Sequence, residues 1–232
     1  MVKMPTIKEI IAFSKSKTFA KTNFFWNTKW NNSRLLGRVS QLLKTAQREY
    51  QKSYNEVRFL PFSYWCNYYF RNACSMEQLY GYAIAFRTEY SEELSDNESF
   101  LVVICRVLYQ TYIGGKAEYL AIQYLHSLHP YARQILTNDY EDRVFCVDII
   151  EYIGSKIVSA YQVKPQSFFS GIEKEKDWAK RALEYNTKGH QKFFEKTGVC
   201  SQYLSWYIQE KHLVFNIYPQ ISFAGFCDKT NP

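Results

Sequence analysis

Between Ser33 and Tyr54 the apolar residues Leu35, Leu36, Val39, Leu42, Leu43, Ala46 and Tyr50 recur at steps of three and four. That spacing lays one apolar stripe along an α-helix, and no other element accommodates it. Arg34, Arg38, Lys44, Arg48 and Lys52 fill the remaining faces, and Ser33 supplies an N-cap. The same logic recurs along the chain. Thr6 with Glu9, Ser75 with Gln78 and Ser95 with Glu98 read as capping boxes that open helices over 6–14, 75–90 and 95–113. Gly114-Gly115 reads as the stop of the third. Further helices are expected over 116–129, closed by Pro130, and over 140–162, 172–185, 188–196 and 200–212. Residues 213–218 are strand-like, and residues 15–32 lack a period.

The expected fold class is therefore mostly α: a helical bundle in one or two lobes, with an irregular N-terminal arm and C-terminal tail. Residues 1–32 form a basic aromatic arm and residues 33–232 a single helical domain, any lobe boundary falling near 130–140. No internal repeat appears, and no linker rich in Pro, Gly or Ser divides the chain.

With 47% apolar and 22% charged residues in 232, the chain has enough apolar material for a core without staples. Twenty Tyr and seventeen Phe exceed what a helical core needs, so some rings are expected on a surface or groove. The six cysteines show no CxxC spacing and lie mostly among apolar neighbours, the pattern of buried thiols in a reducing compartment. No stretch approaches the roughly 20 apolar residues of a membrane span. A cytoplasmic, intracellular chain without membrane contact is expected.

Charge is segregated. From Met1 to Arg58 there are 12 Lys/Arg against three acids; from Glu77 to Glu151, five against 12; from Tyr152 to Pro232, 11 against seven. Basic ends with an acidic middle fit two pictures: the ends meet on a polyanion, or the basic head docks on an acidic body to make an oligomer.

Catalytic signatures are scarce. His126 and His129 share a helix face at a spacing compatible with a metal. Asp139, Glu141, Asp142, Asp148 and Glu151 form an acidic cluster that could hold a divalent cation, although its first members suit a helix N-terminus. The metal-dependent restriction-type nuclease core needs an acidic residue two before a lysine, and none of the nineteen lysines has one. Gly114-Gly115-Lys116 lacks the other parts of a phosphate loop, and no G-x-S-x-G elbow appears. No cofactor is implied.

The constellation that carries a mechanism interleaves cations with rings. Lys15, Lys17, Lys21 and Lys29 alternate with Phe19, Phe24, Phe25, Trp26 and Trp30; Arg58 and Arg71 bracket a second aromatic run. Single-stranded nucleic acid uses such a mixture, cations on phosphates and ring faces on unstacked bases. The nucleic-acid-binding residues expected are Lys15, Lys17, Lys21, Trp26, Lys29, Trp30, Arg34, Arg38, Arg58 and Arg71. In outline this resembles the small helical nucleoproteins of segmented RNA viruses, the local echo being residues 191–199. The resemblance implies a non-enzymatic protein that binds single-stranded RNA and self-associates as a homo-oligomer. The alternatives are a protein–protein adaptor with aromatic hot spots, or a metal-dependent enzyme acting on nucleic acid.

Overall fold

A computed structural model describes residues 3–26, 30, 39–54, 58–90, 93–209 and 212–218. The chain divides into two units, Met1–Lys116 and Ala117–Pro232.

The first unit is helical. It contains α1 (Ile7–Ser14), α2 (Lys17–Lys21), α3 (Asn23–Phe25), α4 (Val39–Tyr54), α5 (Phe62–Asn72), α6 (Met76–Tyr90) and α7 (Asp96–Ile104). A π-helical turn, Cys105–Tyr109, leads on into α8 (Gln110–Leu128). The capping boxes at Thr6 and Ser95 form as expected, each side chain accepting the N3 amide while the glutamate accepts the cap amide. The apolar run from Phe100 to Leu108 is buried on every side and forms the centre of the core.

Two expectations fail here for physical reasons. Gly114-Gly115 does not stop a helix but lies inside α8, where a Cβ on Gly115 would sit 2.5 Å from Leu43 Cδ2. The described part of the segment expected as an irregular arm, residues 15–26 and 30, includes α2 and α3 and joins the core through Phe19, Trp26 and Trp30. Arg106 explains this: it donates to Phe19 O and to Thr22 Oγ1 and lies 4.0 Å over the Phe19 ring. The guanidinium thus closes one carbonyl in the last turn of α2, Phe19 O, where a cation is favoured.

The second unit overturns the helical bundle. Its core is a five-stranded mixed sheet in the order β1-β2-β3-β4-β5. The strands are β1 (Arg133–Leu136), β2 (Ile149–Ile153), β3 (Lys156–Pro165), β4 (Ser201–Gln209) and β5 (His212–Tyr218). Helix α9 (Asp139–Phe145) separates β1 from β2, and α10 (Gln166–Glu173) with α11 (Asp177–Thr197) crosses from β3 to β4. The first three strands form an antiparallel meander, β3 and β4 are parallel, and β5 returns antiparallel. A parallel neighbour demands such a crossover.

The expected helix over 140–162 is really α9, β2 and most of β3, and the one over 200–212 is mainly β4. Both sheet faces are covered, so the strands read as near-continuous apolar runs rather than alternating ones. Ile149, Tyr161, Val163 and Leu204 join the cluster of Ala117, Ala121 and Leu125 from α8. Ile150 and Ala160 join Phe145 and Phe193 on the other side. Gly154, out of place in a helix, makes the two-residue turn between Ile153 and Lys156 with φ +60°.

Among the described residues no helix is long and apolar enough to cross a membrane. Cys66, Cys74, Cys105 and Cys146 are buried free thiols, as expected, whereas Cys200 is disulfide-bonded.

Candidate active site

The expected nucleic-acid-binding residues separate by chemistry. Lys15, Lys17, Lys21, Arg58 and Arg71 are exposed. Trp26 and Trp30 are 3% and 8% exposed, stacked on one another and packed around Phe86. Their faces cannot receive bases, which corrects the expectation of a ring-lined groove at these two positions. The reason is area: an indole buries more apolar surface than almost any other side chain, and the core claims it first. Lys29, Arg34 and Arg38 lie outside the described residues.

The acidic cluster also separates. Glu141 closes a capping box with Asn138 at the start of α9. Asp148 and Glu151, expected on one helix face, stand instead on a strand and its approach and engage different partners. Glu151 is buried and accepts from His129 Nδ1 (3.1 Å), Gln134 Nε2 (3.0 Å) and the Tyr161 hydroxyl (3.1 Å). His129 is thus engaged with Glu151, not paired with His126 around a metal.

Asp148 leads elsewhere. β2 pairs with β3 from Ile149 on, and just ahead of it Asp148 breaks that register, its amide donating to Tyr161 O at 2.8 Å, next to Gln162. Asp148 is 5% and Gln162 2% exposed. One Asp148 oxygen accepts the Val163 amide at 2.7 Å, taking the ladder position that Val147 gives up because its carbonyl is bonded by the Thr137 hydroxyl at 2.6 Å. Gln162 donates through Nε2 to Asn186 Oδ1 of α11 at 3.3 Å, and its buried Oε1 has no hydrogen-bond partner. A buried amide oxygen left without a partner costs free energy, so such an atom points to a ligand.

Lys164 lies two residues beyond Gln162, on the same strand face by alternation, and is half-buried. Its charge helps hold down the Cys146 thiol and the His190 imidazolium. Burial outweighs it for Cys146, pushing that thiol up to about 11, and is the main reason that His190 falls to about 4. At neutral pH the His190 imidazole is therefore neutral and the Cys146 thiol unreactive.

Among the described residues no group of three or more His, Cys, Asp and Glu is arranged to hold a metal ion. The Asp148 end of the sheet differs from such a group by carrying an amide where a further acid would stand. An amide carbonyl remains a hard oxygen ligand for Mg²⁺ or Mn²⁺. The signal was present in the sequence as Gln162-Val163-Lys164, which keeps the restriction-type spacing with glutamine for the acid. A pattern written for Asp and Glu alone passes over it, and a helix drawn across 140–162 separates Asp148 from Gln162. No protein-family model, curated protein or solved structure matches the chain.

Proposed function

We propose that the protein is a metal-dependent enzyme that hydrolyses phosphodiester bonds in nucleic acid. The observation that carries this reading is the buried, partnerless Gln162 Oε1 on the residue between Tyr161 and Val163, both of which bond Asp148, with Lys164 on the same strand face as Gln162. Asp148 and Gln162 are the residues that would hold one divalent cation. A bound cation polarises the phosphate and lowers the pKa of its water. The water gives up a proton as its oxygen bonds to phosphorus, and the departing ester oxygen takes one up. The Lys164 ammonium orients the attacking water and offsets the charge that gathers on the phosphoryl oxygens.

Nucleic acid as the substrate class is supported by the exposed lysines of α1 and α2 and by the net charge of +7. With Trp26 and Trp30 sealed inside, base stacking at those positions no longer argues for single strands, and phosphate contact carries the binding. The test is cleavage of end-labelled single- and double-stranded DNA and RNA with Mg²⁺ or Mn²⁺. Cleavage that chelator abolishes, and that Asp148→Asn loses, is expected. Intact substrates under every condition overturn the proposal.

A further inference from the structure

The carbonyls of Cys146, Val147 and Asp148 are gripped one after another. His190 Nε2 donates to Cys146 O at 2.9 Å, Thr137 Oγ1 to Val147 O at 2.6 Å, and Thr137 N to Asp148 O at 3.0 Å. The Thr137 contacts come from the end of β1. The His190 contact comes from α11, the helix whose Asn186 holds the Gln162 amide. Asn186 and His190 are four apart, one helical turn, so they lie one above the other on the same face. Asn186 is 5% and His190 4% exposed.

Two features of the backbone make this approach possible. Between them lies Gly189, where a Cβ would stand 2.6 Å from Cys146 Sγ and 2.9 Å from the Phe145 carbonyl carbon. Any larger residue would push α11 away from the corner that precedes Asp148. Cys146 adopts φ 52°, ψ 43°, a left-handed conformation uncommon for a residue with a side chain, and this turns the chain from α9 toward β2. The His190 bond holds the carbonyl of that turned residue.

We infer that α11 is the positioning element of the site. Asn186 and His190 fix the separation of Gln162 and Asp148, so that one cation can be shared between them. This rests on the functional reading above. Neither residue touches the cation: Asn186 acts through the Gln162 amide, and His190 through the corner two residues before Asp148. Groups that orient metal ligands without touching the metal govern its affinity by about 10–100-fold.

The experiment is a calorimetric Mn²⁺ titration of the full chain and its variants, with thermal unfolding recorded for each. His190→Phe removes the donor and keeps a ring of similar size; Asn186→Ala is the milder second variant. Each is expected to weaken Mn²⁺ binding by about 10–100-fold. His190→Gln, which restores an N–H donor at similar reach, is expected to recover most of the loss. Tight binding retained by His190→Phe and Asn186→Ala overturns the positioning role. So does His190→Gln binding as poorly as His190→Phe. A wild-type chain that takes up no Mn²⁺, and cannot be told from Asp148→Asn, overturns the functional reading and the positioning role with it.

Discussion

The two units spend their buried volume differently. Among the described residues the first unit encloses few polar side chains: Thr22, Gln47, Ser99 and Arg106. Each is engaged in helix ends or connections; Gln47, for example, both donates to Arg58 O and accepts from Leu60 N. The second unit encloses Thr137, Asp148, Glu151, Gln162, Asn186, His190, Ser201 and Ser205. Burying polar groups is costly unless they are paired, and unpaired ones mark places where stability was not the criterion. The first unit is an aromatic core with a basic surface. The second is a sheet built around polar groups at one end. The difference points to the second unit as the place for chemistry, although charge and rings drew attention to the first.

The sharpest way to break that contrast is Lys164→Ala. Its expected effect is a fall in kcat of about 10²–10⁴-fold, with the unfolding transition nearly unmoved. A variant of equal activity would remove Lys164 from the chemistry. The counterpart in the first unit is Trp65→Ala. Trp65 is fully buried and its Nε1 donates to Leu108 O at 3.2 Å. Truncation is expected to cost about 3–5 kcal/mol in urea unfolding, while Mn²⁺ affinity of the folded fraction stays at the wild-type value.

Acid should separate the units next. His190 is held neutral in the folded state, its pKa lowered from 6.5 to about 4, chiefly by burial. The unfolded chain therefore binds a proton first as pH falls. Stability is complete above about pH 6.5 and declines toward pH 4, by about 3 kcal/mol in all. Denaturation of the second unit followed from pH 7 to 4 is expected to show this slope, and His190→Gln to flatten it. Smallest is the joint change of Lys15, Lys17 and Lys21 to Ala. If these exposed side chains meet phosphates, the slope of log affinity against log salt falls in magnitude by about 0.9 for each duplex phosphate no longer neutralised. An unchanged slope would confine nucleic-acid binding to other surfaces.

How legible was this in the sequence? Helices α4, α6 and α7 follow from apolar spacing and capping residues a few positions apart, information that sits inside each segment. Over 140–162 and 200–212 the same reasoning fails, because a strand covered on both faces loses its alternation and reads like a buried helix, whereas the helices expected over 172–185 and 188–196 fall largely in α11. Gly154 was the local clue, since a turn explains it better than a helix interior does. For the site, Lys164 and its spacing from Gln162 were visible, but the amide stood where an acid was sought.

What the residues determined by themselves is the helical first unit, its caps, the basic surface and the shortage of familiar catalytic motifs. What only the tertiary structure decided is which groups meet: Asp148 on the backbone at either side of Gln162, Asn186 on the Gln162 amide, His190 on the Cys146 carbonyl, and Trp26 and Trp30 inside rather than outside. The physical reason is range. Helical periodicity is written within one or two turns of chain, whereas strand pairing and burial depend on partners far away in sequence, whose competition for the interior no local pattern records.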